Sequence, residues 1–217
     1  MAKRLLSGIQ PSGELHVGNY LGALKRFVEM QGEYETFVFV ANYHSLTTLK
    51  NAEEMKRNTI DVVKDYVAAG LDPEKVVLYT QTDVPEVTEL AWIFGTLITM
   101  PNLMRAHAFK DAEARNKEIN VGVFNYPVLM AADILVVDAD VVPVGKDQQQ
   151  HVEMARDIGN KFNNAFGDTF KIPEPLIDEG TSVIPGIDGQ KMSKSYGNTI
   201  SLFGSDEEIK AQVAKIV

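Results

Sequence analysis

Two short strings carry residue types that suit nucleotide chemistry. The first is Pro11-Ser12-Gly13-Glu14-Leu15-His16-Val17-Gly18-Asn19, set between an apolar run and a helical pattern. Backbone N–H groups at a helix start attract phosphate, and His16 adds a side-chain donor there. Gly18 has no side chain, so a flat base could lie against the backbone. The second string is Lys191-Met192-Ser193-Lys194-Ser195, which follows the turn-rich Pro185-Gly186-Ile187-Asp188-Gly189. Two lysines bracketing small hydroxyl residues can close over a triphosphate and offset the charge that develops as pyrophosphate leaves. Each string alone has a plainer reading, a glycine turn with a surface histidine or a solvated lysine loop. Their joint occurrence, in this order, favours the chemical one.

A third feature is Asp133, alone among apolar residues in the run from Tyr126 to Leu135. A carboxylate there is either a burial cost, a solvent-facing residue, or an acceptor for a ligand's N–H.

These residues need elements to hold them, and the pattern supplies alternating strands and helices, the sign of a parallel sheet covered by helices. Strands are expected at Lys3 to Gly8, Thr36 to Ala41, Val76 to Thr80 and Val141 to Val144. Helices are expected from Val17, with Leu21, Leu24, Phe27 and Val28 on one face, and from Asn51 to Ala69 behind an Asn51/Glu54 start signal. Further helices are expected over Val84 to Ile98, from Pro101, over Tyr126 to Leu135 and over Gln148 to Phe162. Ser205 and Glu208 read as a capping box, and Ile209, Val213 and Ile216 as an apolar stripe behind it. That stripe stops near Val217, so the last helix is expected to open a longer helical region in a truncated chain.

The chain has 217 residues, 45% of them hydrophobic and 24% charged, enough for one sizeable core. It has no cysteine, which excludes disulfides and thiolate metal sites. Its histidines, His16, His44, His107 and His151, lack the spacing of a zinc site, and no protein metal site is expected. No signal peptide or membrane span is read, so the default is a cytoplasmic enzyme with no membrane partner. The net charge of −9 has the wrong sign for holding nucleic acid by bulk charge. An RNA partner would need a local patch.

The two strings resemble the HIGH and KMSKS motifs of the class I aminoacyl-tRNA synthetases. Within that class, Ser7 to Gly13 followed by His16 to Tyr20 is similar to the bacterial tryptophanyl family. The resemblance continues through Asn125 to Leu135 and Val142 to His151, and covers essentially the whole chain. One departure is visible: Asn19 stands where the second histidine of the first motif would be.

The resemblance implies an α/β fold, a Rossmann-type (HUP-like) parallel sheet with helices on both faces, over residues 1–190. Residues 191–217 would be the KMSKS loop and the first helix of a C-terminal helical domain. It implies ATP with Mg²⁺, L-tryptophan and tRNA(Trp) as partners, in a homodimer. Catalytic roles fall on His16, Asn19, Lys191 and Lys194. ATP contacts fall on Gln10, Pro11, Ser12, Gly18, Asn19, Gly145, Lys146, Asp147, Val183 and the string Lys191, Met192, Ser193, Lys194 and Ser195. Tryptophan contacts fall on Asp133, as acceptor of the indole N–H, with Met130, Tyr126, Gln148 and His44. A satisfied core histidine is almost as good a reading for His44. For Lys110, Arg115 and Lys117 a solvated helix face is the better one. Three other readings stand beside this: a tyrosyl-tRNA synthetase, a nucleotidyltransferase of the same superfamily, and a non-catalytic binding module.

Overall fold

The computed structural model describes residues 2–106, 109–110, 113, 119–177 and 184–216. Five strands form one parallel sheet in the order β3-β2-β1-β4-β5. They are β1 (Arg4–Ile9), β2 (Glu35–Val40), β3 (Val76–Thr80), β4 (Val141–Val144) and β5 (Glu174–Ile177). The fifth strand, Glu-Pro-Leu-Ile, escapes a pattern reading because it is short and carries a proline. It lies at the sheet edge, where a missing N–H is tolerated.

Helices cover both faces, as a doubly wound sheet requires. One face carries α4 (Ala52–Ala68), whose Val62 and Tyr66 bury against Val38 and Val40. The other carries α5 (Glu86–Gly95), α7 (Val121–Val136) and α8 (Gln149–Phe166), packed on Phe39 and Ala41. Residues 38 to 41 thus alternate between two cores, the period-two consequence of a pleated strand buried on both sides. Each fully buried valine there contributes about 1.5–3 kcal/mol.

Three expectations need correction. The helix at Val17 is not continuous: α1 (Val17–Asn19) passes through a π-helical turn over Tyr20–Leu24 before α2 (Lys25–Met30). The wider turn rotates Leu21 into solvent while Leu24 and Phe27 stay buried. The helix around Asp133 starts five residues earlier than Tyr126, because Asn120 caps it by accepting the Val123 N–H at 2.9 Å. Pro127 lies within its first two turns. At Ser205 only half of the capping box forms: its hydroxyl accepts the Glu208 N–H at 3.2 Å, while the Glu208 carboxylate takes Gln212 instead. The last helix, α9 (Asp206–Val213), ends before Ile216. Two short helices, α3 (Asn42–Ser45) and α6 (Met100–Met104), follow β2 and α5.

The strand order creates a switch point. From β1 the chain winds outward to β2 and β3, then crosses back to β4 and β5 on the other side. A crevice opens at the carboxyl ends of β1 and β4, where open sheets of this kind bind ligands. The loop after β1 is the first motif, and the turn after β4 is Gly145 to Gln148.

Candidate active site

The loop after β1 is held by α4 from behind. Asn58, on the same buried stripe as Val62 and Tyr66, donates its side-chain amide to the Pro11 carbonyl at 3.2 Å. Asp65 takes the Leu15 backbone N–H, and burial pushes its carboxyl above the usual range. Pro11 is buried, whereas Gln10 and Ser12 are exposed at the rim. Gly13 has φ +101, a conformation that favours glycine.

His16 caps α1. Its Nδ1 accepts the Asn19 N–H at 3.3 Å, and Asn19 Oδ1 accepts the His16 N–H at 3.0 Å. This reciprocal box fixes two ambiguities. With Nδ1 accepting, the neutral ring carries its proton on Nε2. With Asn19 Oδ1 engaged, the amide NH₂ is the end left to face a ligand. Burial, and then the Lys194 charge, hold the His16 pKa below its ordinary 6.5. The ring is therefore a neutral donor at pH 7.

The second motif docks onto the first. Lys194 Nζ donates to the carbonyls of Ser12 at 3.2 Å and Gly13 at 3.0 Å. Met192 is buried, and the Gly18 N–H points at its sulfur across 3.2 Å. A Cβ on Gly18 would lie 3.0 Å from His16 Nδ1 and 3.2 Å from the Met192 sulfur. On that side the missing side chain makes room for the protein's own atoms rather than for a base. Downstream, residues 200–202 run antiparallel to 15–17, with Val17 N donating to Ile200 O at 2.9 Å and Leu202 N to Leu15 O at 3.0 Å.

Asn198 pins the lysine loop internally. Its Oδ1 accepts the Ser193 N–H at 2.8 Å, and its Nδ2 donates to Lys191 O at 3.1 Å and Asp188 Oδ1 at 2.7 Å. That bond holds the Asp188 carboxyl below the usual carboxylate range. Lys191 is exposed, and its backbone bridges Pro185.

Asp133 is 3% exposed and hydrogen-bonded on both oxygens, with acceptor capacity to spare. His44 Nε2 donates to its Oδ2 at 2.9 Å, and Gln81 Nε2 donates to Oδ1 at 2.8 Å and Oδ2 at 3.0 Å. Burial pushes the Asp133 carboxyl above its ordinary range, and the His44 and Gln81 bonds pull it back. The solvent-facing reading of Asp133 is excluded. Met130, one turn earlier, packs on the core beside it.

Tyr126 and Gln148 meet through His151, a buried residue on the inner stripe of α8. Tyr126 Oη lies 2.7 Å from His151 Nε2, and Gln148 Oε1 lies 2.9 Å from His151 Nδ1. Gly145 and Lys146 are exposed at the end of β4, and Asp147 sits in the 3₁₀ turn that follows. An open cavity of about 470 Å³ is lined by His44 and Tyr126 together with Tyr43, Thr47, Trp92 and Asn125. Among the described residues Asp133, Met130 and Gln148 do not line it, so it backs onto the Asp133 cluster rather than containing it. Val183, Arg115 and Lys117 lie outside the described residues, and Lys110 is exposed.

Sequence reasoning missed Asn58, Gln81 and Asn198. Asn58 had a signal, since 58, 62 and 66 share one helix face and a polar group there calls for a buried partner. Gln81 and Asn198 had none beyond their proximity to a strand end and to the lysine string.

The family described as class I tRNA synthetases (W and Y) matches residues 2–217. A tryptophan--tRNA ligase from Fusobacterium nucleatum is 55% identical over 99% of this chain and 66% of its own length. The crystal structure of Campylobacter jejuni tryptophanyl-tRNA synthetase complexed with ADP and tryptophan superposes with a TM-score of 0.94 at 48% identity, covering 99% of this chain and 67% of that one. A tyrosyl-tRNA synthetase from Archaeoglobus fulgidus, complexed with L-tyrosine, shares the fold at a TM-score of 0.82 and 24% identity. The chain thus spans about two thirds of the length of these bacterial relatives.

Proposed function

This chain belongs to the class I tRNA synthetases of the W and Y family, and from that premise we propose that it activates L-tryptophan for attachment to tRNA(Trp). The substrate carboxylate attacks the α-phosphate of Mg²⁺-ATP, forming tryptophanyl-adenylate and releasing pyrophosphate. Transfer of the tryptophanyl group to tRNA(Trp) follows. The observation that carries the choice of amino acid is the buried Asp133 carboxylate, held as an acceptor by His44 and Gln81. The names of the bacterial relatives at 48–55% identity support it.

The carboxylate is already a nucleophile, so the protein's part is positioning and charge stabilisation. The neutral His16 Nε2–H and the Asn19 amide donate to phosphate oxygens, and Lys191 and Lys194 offset charge on the departing pyrophosphate. Mg²⁺ arrives on the triphosphate as part of the substrate. Gln10, Pro11, Ser12, Gly18, Gly145, Lys146, Asp147, Val183, Met192, Ser193 and Ser195 complete the ATP site in this reading. Met130, Tyr126, Gln148 and His44 complete the tryptophan site.

We place the division between the nucleotide-binding domain and the C-terminal helical region at residue 190. The reading includes a homodimer, supported by the exposure of Trp92 on α5 (79%) and of Val121 at the start of α7. It also places the enzyme in the cytoplasm, where its tRNA is charged. No helix among the described residues is long and apolar enough to cross a membrane.

The test is amino-acid-dependent exchange of pyrophosphate into ATP. Exchange with tryptophan and not with tyrosine supports the proposal. Exchange with tyrosine and not with tryptophan points to the tyrosyl reading, exchange driven only by a phosphorylated acceptor to the nucleotidyltransferase, and absence of ATP binding to a non-catalytic module.

A further inference from the structure

Gln81 follows β3 directly and opens a 3₁₀ turn over Gln81–Asp83. Asp83 Oδ2 fixes that turn by accepting the Thr80 N–H at 2.8 Å. A reciprocal pair fastens it to α3: Asn42 Nδ2 donates to Thr82 Oγ1 at 2.9 Å, and Thr82 N donates to Asn42 Oδ1 at 3.2 Å. The Gln81 side chain is only 1% exposed, so every polar atom on it must find a protein partner. It does so on two other elements. Oε1 accepts the N–H groups of Tyr43 at 3.0 Å and His44 at 3.4 Å, donors at the start of α3 that no helical carbonyl can satisfy. Nε2 donates to both oxygens of Asp133 on α7.

The partners settle the orientation of the amide. One side offers two N–H donors and the other a carboxylate, so a flipped amide would set donor against donor and acceptor against acceptor. The same amide sets His44, whose backbone it binds and whose ring donates to the carboxylate that it also binds. Three groups thus share one network, and it fixes the plane of a carboxylate whose lone pairs must point at a ligand.

We infer that Gln81 is a positioning residue for amino-acid selection, acting through Asp133: its amide holds the Asp133 carboxylate in the plane that accepts a heteroaromatic N–H. This rests on the tryptophan reading of the site. Without the Gln81 donor, Oδ1 loses its hydrogen bond and the carboxylate is held on the Oδ2 side alone, by His44. A carboxylate free to rotate no longer presents its remaining lone pair in one direction to an N–H donor.

The test compares equilibrium dialysis of tryptophan with that of 3-(benzothiophen-3-yl)alanine, which has sulfur in place of the indole N–H. The ratio of the two dissociation constants is measured on the same protein preparation, so a partly unfolded fraction cancels from it. One charge-assisted hydrogen bond predicts that the unsubstituted protein prefers tryptophan by roughly 10- to 100-fold. Gln81→Met, of similar volume and without either polar group, is expected to bring the ratio to within about 3-fold of unity. Gln81→Asn is one methylene short of spanning from α3 to Asp133 and is expected to fall between. A Gln81→Met protein that keeps the full preference, or weakens both ligands equally, overturns the inference and leaves the tryptophan reading standing. If Gln81→Met does not fold, Gln81→Asn decides on the same criterion. If the unsubstituted protein shows no preference, the tryptophan reading itself falls.

Discussion

The backbone N–H of Gly18 points at the Met192 sulfur across 3.2 Å, joining the two motif strings although 174 residues separate them in sequence. A glycine in the first motif and a methionine in the second are thereby a packing pair. The lysine loop is seated on the loop after β1 by the protein's own contacts.

Gly18→Ala is expected to unseat that contact. Its Cβ would press on the His16 ring at 3.0 Å and on Met192 at 3.2 Å, so one of them must move. Overpacking of this kind costs about 1–3 kcal/mol. Because the groups that yield set the orientation of the His16 ring and the seat of the lysine loop, the loss should fall on the exchange rate with ATP more than on thermal stability. A variant with an unchanged exchange rate would show that the pair is incidental.

Lys194→Ala should lower the activation rate by roughly 10²–10³-fold, the usual cost of removing one donor to developing charge. Tryptophan affinity should change little, since Lys194 contacts the loop after β1, at Ser12 and Gly13, and not the Asp133 cluster. Steady-state exchange kinetics at saturating tryptophan check both halves, and unaltered kinetics would sink the assignment.

Asp133→Ala should lose amino-acid discrimination rather than ATP handling. A site built on one buried hydrogen bond discriminates against side chains that cannot make it. The variant should therefore admit phenylalanine and tyrosine in the exchange assay. Continued exclusion of both would contradict its role. It also leaves His44 and Gln81 with unmet donors, so some loss of melting temperature is expected alongside.

His16 sets an acid limit. Its folded-state pKa lies below the ordinary 6.5, so folding favours the neutral ring. The sign follows: this contribution is intact above pH 6.5 and is lost as pH falls through the depressed folded value. Lys194→Ala removes one of the two causes of the depression and should move the His16 titration back toward 6.5. Proton NMR of the histidine ring reads this directly, and a shift in the opposite direction would refute the coupling.

Much of the fold is legible in the sequence because burial on both sides leaves its mark on composition. Phe37 to Val40 read as a central strand since each successive residue enters one core or the other. The helix from Asn51 read correctly since its cap is local, with Glu54 N reaching Asn51 Oδ1 at 3.0 Å. The π-helical turn at Tyr20 did not, because the same apolar spacing fits a regular helix. Nor did the strand at Glu174, whose pairing with β4 is decided by long-range register.

The two motif strings, their order and the lone carboxylate at 133 were determined by the sequence itself, since motif chemistry depends on residue type and short spacing. Only the tertiary structure decided what those groups are bonded to. It put Met192 against Gly18, gave His16 its tautomer and ringed Asp133 with His44 and Gln81. The physical reason is that hydrogen bonds and burial act through space. The partners of Asp133 lie 52 and 89 residues away, a separation that no local pattern encodes.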